Sequence, residues 1–254
     1  MRTGIELPVM PTLILSPRQT EDAQLLWRAA IRAGWAIERA FGWKSPAKPE
    51  DDFTIYGEPV FVQAIAESCD VKVVVPTDDW LATLPLRWSG RNVKLMSLED
   101  ARLIGVSRFI KPCSDKEFAA GLYGKGRSLP DEQLLPNDLP VLVQEPVSWE
   151  TEFRCFVVNR QVKTCSVYAR GGELAQAEDG AWPASEQEVT QAVRICEAVC
   201  ADADVALPVA VVVDVGLIAG RGWAVVECNA VTSSGIYGCD PAKVLEVLKH
   251  GLAL

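Results

Sequence analysis

Over the first hundred residues, short apolar runs alternate with stretches whose apolar positions recur at helical spacing. Thr12-Leu13-Ile14-Leu15 reads as a buried strand, and Leu25, Leu26, Ala29, Ala30 and Ala33 fall on one stripe of a helix over 21–33, followed by a strand at 35–37. Residues 53–56 are extended, a helix over 59–67 opens on Pro59, and the apolar run 71–75 predicts another strand. Such alternation predicts a small α/β lobe.

A break follows at 78–91, where Pro85, Gly90 and several tryptophans interrupt any period. Beyond it, strands are predicted at 106–110 and 141–145, flanking a helix at 115–122 and a stretch at 124–139 rich in Gly, Pro, Asp and Asn that reads as a mobile loop. An antiparallel hairpin is expected at 152–158 and 162–169 around Asn159-Arg160, then a helix at 185–200 with Ser185 and Glu188 in capping-box spacing. Strands at 209–218 and 223–229 precede a last helix at 241–250, and no internal repeat is present.

Charge and cysteines narrow the function classes. The 254 residues carry a net charge of -9, which argues against wrapping a nucleic acid, because that requires a basic surface. No apolar run is long enough to cross a bilayer, and Glu6 and Pro8 sit where a signal peptide would need an unbroken apolar stretch. A cytoplasmic protein without membrane contact is expected, with a homodimer as the default assembly. Eight cysteines are scattered through apolar segments, without paired CxxC spacing, and read as reduced core residues. Cys196 and Cys200, one helical turn apart, lack a second ligand pair for a metal.

The chemistry-bearing residues concentrate in the second half. With Gly220-Arg221 as a two-residue turn, Asp214 falls opposite Glu227, and Asn229 points to the same face. Two facing carboxylates repel, and a hard cation held by oxygen ligands is one way to compensate them; two solvated hairpin charges are the other reading. Glu152 and Arg154 share one strand face, where the arginine either takes a phosphate or carboxylate or pairs across the strands, and Arg170 before Gly171-Gly172 could join it. Lys111 after Phe109-Ile110 either snorkels to solvent or holds a phosphate. Gly124-Lys125-Gly126-Arg127 is either a loop closing over phosphates or a plain linker.

Taken in order, Phe109-Ile110-Lys111-Pro112, Val143-Gln144-Glu145-Pro146-Val147, Glu152-Phe153-Arg154, Arg170, Asp214 and Glu227-Cys228-Asn229 resemble the ATP-grasp superfamily. More narrowly, the chain is similar to a small bacterial and phage clade of it distinguished by two arginines and one lysine. The resemblance implies an α/β fold of α+β lobes, with an N-terminal α/β pre-grasp lobe over 1–95 and two nucleotide-clamping lobes over 96–254. It implies ATP and Mg²⁺, or Mn²⁺ in its place, as cofactors. Lys111 would contact the α-phosphate side, the backbone of Gln144, Glu145 and Val147 would hold adenine, and Glu152 the ribose. Arg154 and Arg170 would face the γ-phosphate and the substrate carboxylate, Asp214, Glu227 and Asn229 would bind the metal, and Lys125 would close over ATP. The activity implied is a carboxylate-amine or carboxylate-thiol ligase using an acyl phosphate, on small-molecule, amino-acid or peptide substrates. A non-catalytic nucleotide-binding module and a kinase that stops at the phosphorylated substrate are the alternatives.

Overall fold

The computed structural model describes residues 10–41, 48–49, 52–113, 117–124 and 126–253. Strands β1 (Thr12–Leu15), β2 (Ala36–Arg39) and β3 (Phe53–Tyr56) form a parallel sheet in the order β2-β1-β3. Every residue of β1 is buried, and strand alternation divides it between two layers. Leu13 and Leu15 pack with helix α1 (Glu21–Arg32), whereas Ile14 packs with helix α2 (Pro59–Ser68). Thr20 caps α1 by accepting from the Ala23 N–H at 3.1 Å, and Pro59 opens α2 where its missing N–H is no loss. The strand expected over 71–75 shortens to β4 (Lys72–Val73), which follows Asp70 in left-handed backbone (φ 54°) and does not join the parallel sheet.

The break at 78–91 holds two one-turn helices, α3 (Trp80–Thr83) and α4 (Leu86–Ser89), with Trp80 and Leu81 buried. Next comes an antiparallel sheet in the order β5-β8-β6-β7, made of β5 (Val93–Ser97), β6 (Arg108–Pro112), β7 (Gly121–Tyr123) and β8 (Pro140–Gln144). Helix α5 (Leu98–Arg102) shares a core with one of its faces.

Two expectations for this region are corrected. Where residues 115–122 are described they are not helical: Leu122 is exposed and Tyr123 buried in strand β7, and Phe118 packs edge-on against Tyr123 at 5.8 Å. The 124–139 stretch is tied to α5 rather than loose. Arg102 donates to the Pro130 carbonyl at 2.8 Å and to the Asn137 side chain, and Leu129, Leu135 and Leu139 pack on the same core.

The largest sheet has the order β11-β10-β9-β12-β13, from β9 (Trp149–Val158), β10 (Gln161–Arg170), β11 (Glu173–Leu174), β12 (Ala210–Ile218) and β13 (Gly222–Asn229). Asn159 and Arg160 take φ of 50° and 62° to make the tight β9–β10 turn expected of them. Helix α6 (Glu186–Ala201) opens on the Ser185–Glu188 capping box and covers one face through Ala192, Cys196, Val199 and Cys200. Helix α7 (Pro241–Leu248) and α1 cover part of the opposite face, against Phe156, Val158, Ala210 and Val212. Strand β14 (Leu252–Ala253) then pairs with β4. Cys113, Cys155, Cys165, Cys196, Cys200, Cys228 and Cys239 are free thiols.

Candidate active site

Asp214 does stand opposite Glu227, but by an unexpected path. The β12–β13 turn has three residues, with Ile218 paired to Gly222, and by itself that register would bring Val226 across from Asp214. One extra residue on β13, Val226, restores the Asp214–Glu227 pair. Arg91 holds this bulge. Its guanidinium is buried over the Trp149 ring (5.0 Å to the centroid) and donates to the Val225 carbonyl at 2.7 Å, the Val226 carbonyl at 2.9 Å, the Ser89 carbonyl at 2.9 Å and Gln144 Oε1 at 2.9 Å. Burial pulls its pKa down to about 10.

Arg154 lies directly across from Asp214 on β9 and grips it in a two-pronged ion pair, Nε to Oδ1 at 2.9 Å and Nη2 to Oδ2 at 2.7 Å. Arg154 is also fixed by the Gly235 carbonyl at 3.1 Å and by the rings of Tyr237 and Tyr168, at 4.8 and 5.3 Å. Three of its five N–H groups are thereby used, leaving one on each terminal nitrogen. Nη2 stands 3.9 Å from Glu227 Oε1, while Lys111 Nζ reaches across from β6 to Glu227 Oε2 at 2.7 Å. Asn229 Nδ2 donates to Glu227 Oε1 at 2.9 Å.

The two facing carboxylates are therefore neutralised by Arg154 and Lys111. Burial pushes the Asp214 carboxyl up to about 6 against the pull of Arg154. Burial acts the same way on Glu227, but Lys111, Asn229 and Arg154 outweigh it and hold that carboxyl down to about 2. Among the described residues no cluster of His, Cys, Asp and Glu is disposed to hold a metal. An oxygen-only donor set still suits Mg²⁺ at Glu227 and Asn229, whose amide oxygen is turned from its Nδ2 contact. Asp214 fits less well, since it is fully buried and both its oxygens face Arg154.

The remaining expected residues spread around this centre. Glu152 shares the Arg154 face and accepts from the Tyr168 hydroxyl at 2.7 Å; burial raises its pKa. Gln144, buried at the end of β8, is engaged by Arg91, and Glu145 pairs with Arg221 at 2.7 Å, while Val147 lies in the half-buried segment that follows. Arg170 does not join Arg154. Two bulges in β10, at Lys163 and at Tyr168, offset each other in facing, so Arg170 opposes Thr151 on the α6 face, the side that the Asn159-Arg160 turn alone gives it, and ends on Glu188 at 2.6 Å. Lys125 lies outside the described residues.

Several site residues carried no signal in the sequence. Tyr237 sits in left-handed backbone (φ 49°), stacked on Tyr168 at 5.2 Å and edge-on to Trp182 at 5.0 Å. Such a conformation in an aromatic residue marks local constraint, which only the folded chain reveals. Asp22, from the first turn of α1, accepts from the Ile236 N–H at 3.1 Å, and the single Tyr56 hydroxyl proton is shared between the Ser234 carbonyl at 3.0 Å and Asp22 Oδ2 at 3.4 Å. The 234–237 segment thus joins the N-terminal lobe to Arg154.

Residues 88–247, more than half of the chain, match the family model described as ATP-grasp domain, R2K clade family 2. Comparison with curated proteins gives no match. Among solved structures, the chain is similar to an ATP-grasp RimK domain protein from Sphaerobacter thermophilus DSM 20745, at TM-score 0.57 and 15% identity over 94% of this chain and 99% of that one. It is also similar to D-alanine–D-alanine ligase from Bacillus anthracis, at TM-score 0.51 and 12% identity over 94% and 96%. A third is N5-carboxyaminoimidazole ribonucleotide synthetase from Thermotoga maritima, at TM-score 0.52 and 14% identity over 95% and 76%. At these identities the likeness is one of fold. No helix among the described residues is long and apolar enough to cross a membrane.

Proposed function

Because this chain belongs to the ATP-grasp domain family, R2K clade family 2, we propose that it is an ATP-dependent ligase that activates a carboxylate as an acyl phosphate and joins it to an amine. One observation carries the reading: Lys111 from the four-stranded sheet and Arg154 from the five-stranded sheet converge on the two oxygens of the same carboxylate, Glu227. Two fixed cations whose partners are carboxylates form a cradle for phosphate oxygens. Two of these neighbours of similar fold are a ligase and a synthetase by name, which favours the same class.

In this reading the backbone of 144–147 receives adenine, Glu152 the ribose and Lys111 the α-phosphate side, with Lys125 closing over the triphosphate. Glu227 and Asn229 hold Mg²⁺ or Mn²⁺, which when bound neutralises charge on the phosphates. Asp214 acts on Arg154, fixing the guanidinium so that its two spare N–H groups face the γ-phosphate and the substrate carboxylate. A carboxylate oxygen attacks the γ-phosphorus, the bond to the bridging oxygen breaks, and ADP leaves with the electron pair. The amine nitrogen then bonds to the acyl carbon, phosphate departs with the C–O electron pair, and the nitrogen sheds a proton. Arg154 is placed to stabilise the tetrahedral oxyanion between these events. Arg170, committed to the α6 cap, has no part. Seven free thiols and a need for ATP favour the cytoplasm, and the substrates are small molecules, amino acids or peptides.

The test is incubation with ATP, Mg²⁺ and pools of carboxylates and amines. ADP and free phosphate in step, together with hydroxamate when hydroxylamine replaces the amine, are expected. Nucleotide binding with no turnover on any pool would identify a binding module, and phosphate that stays attached to the substrate would identify a kinase.

A further inference from the structure

Gly235 is a glycine that its backbone does not require, since its φ lies outside the left-handed region. Its reason is space. A Cβ at this position would lie 3.4 Å from Asp22 Oδ2, 3.5 Å from Tyr237 Cζ and 3.7 Å from Arg154 Nη1. The missing side chain therefore leaves a small hollow walled by a carboxylate, a phenol ring and the guanidinium assigned to the substrate carboxylate.

The electrical balance of this hollow is incomplete. Both hydrogen bonds to Asp22 fall on Oδ2, from Tyr56 and Ile236, and Asp22 makes no ion pair among the described residues. Arg154, the cation facing it, is already committed to Asp214. A half-buried carboxylate without its own counter-charge is unfavourable, and burial accordingly raises the Asp22 pKa. A ligand that brings a positive charge relieves both conditions.

We infer that the hollow over Gly235 is the acceptor site, and that Asp22 holds the attacking substrate as a primary ammonium group against the Tyr237 ring. This inference rests on the ligase reading and narrows it: the acceptor is a primary amine that is cationic in solution, not a neutral amide and not a thiol. The geometry suits the transfer, because the same void touches Arg154, where the acyl group is activated. Tyr237 supplies an aromatic wall, and its stack on Tyr168 and edge contact with Trp182 keep that wall in place.

Two variants and two readouts test the site. Asp22→Asn removes the charge at nearly constant shape, and Gly235→Ala fills the hollow with a methyl group at ordinary contact distances. Binding of a panel of primary amines (the common amino acids, alaninamide, spermidine) is titrated by calorimetry in the presence of AMPPNP and Mg²⁺, with AMPPNP affinity as the check on folding. At least one amine is expected to bind the wild type and to weaken about tenfold or more in each variant, the loss of one charge-assisted contact, with AMPPNP affinity within about twofold. Amines that bind both variants as they bind the wild type, or a wild type that binds no member of the panel, would overturn the site. The second readout is ADP release with the amine identified: a wild type that binds amine through Asp22 yet never consumes ATP leaves the site standing and removes the ligase reading instead.

Discussion

The two faces of the five-stranded sheet are built from alternate residues of the same strands, yet they are stabilised by opposite means. On the α6 face, Phe153, Cys155, Val157, Val211, Val213 and Val215 are buried together in one apolar cluster, so each contributes chiefly by leaving water. On the other face, α7 and α1 cover Phe156, Val158, Ala210 and Val212 and stop short of Glu152, Arg154, Asp214 and Glu227. There Asp214 and Glu227 are tolerable because Arg154 and Lys111 neutralise them. The difference teaches that the first face should lose stability in proportion to the volume removed, whereas the second should respond to pairs.

The largest effect is expected at Arg154. Arg154→Ala leaves Asp214 buried and unpaired, so unfolding by urea should show a loss of about 3 to 5 kcal/mol, and ADP release should fall by roughly a thousandfold or more. The double variant Arg154→Met, Asp214→Leu makes this face resemble its opposite; stability should largely return while turnover stays absent. A single variant as stable as the wild type would dissolve the distinction between the faces.

Next in size is Phe153→Ala on the apolar face. Phe153 is fully buried and packs on Trp223 at 5.8 Å between ring centroids, so truncation should cost about 3 kcal/mol in the same unfolding experiment. The ATP concentration for half-maximal rate should stay near the wild-type value, because Phe153 points away from the cleft. A large change in that concentration, with the fold intact, would show that the faces are coupled.

The smallest effect sharpens the comparison between the two arginines of the β9–β10 hairpin. The Arg170 hydrogen bond, with the Ser185 N–H, holds the Glu188 carboxyl down to about 2 from an ordinary 4.5. Between those values the unfolded chain binds more protons than the folded one, so this contribution is complete above pH 4.5 and is lost as pH falls toward 2. Glu188→Gln should flatten acid unfolding over that range by about 1 kcal/mol, the scale of a half-exposed pair, and leave ligase turnover at pH 7 unchanged. If turnover collapsed instead, Arg170 would belong to the site after all.

Much of the candidate site was legible because its residues interrupt strong patterns. Asp214 stands in a run of valines, and Glu227 and Asn229 are separated by one residue in a strand, so period-two alternation assigns them a common face. Arg154 and Glu152 are legible for the same reason. The 115–122 segment misled because a few apolar residues fit either period, and pairing with β6 decided between them. Asp22, Tyr56 and Tyr237 were not legible, since their chemistry arises only when α1, β3 and the 234–237 segment meet.

By itself the sequence determined the order and kind of most elements, the tight Asn159-Arg160 turn, the α6 cap, and which residues carry charge into apolar strands. Tertiary structure decided where those charges point. One extra residue at Val226 brings Glu227 to face Asp214, and on β10 the extra residues at Lys163 and Tyr168 turn only the stretch between them, setting Ser166 opposite Arg154 and leaving Arg170 on the other side. A strand inverts all later side chains for each residue inserted, and a bulge is set by distant partners such as the Arg91 guanidinium on the Val225 and Val226 carbonyls. No local pattern in β13 or β10 contains that information.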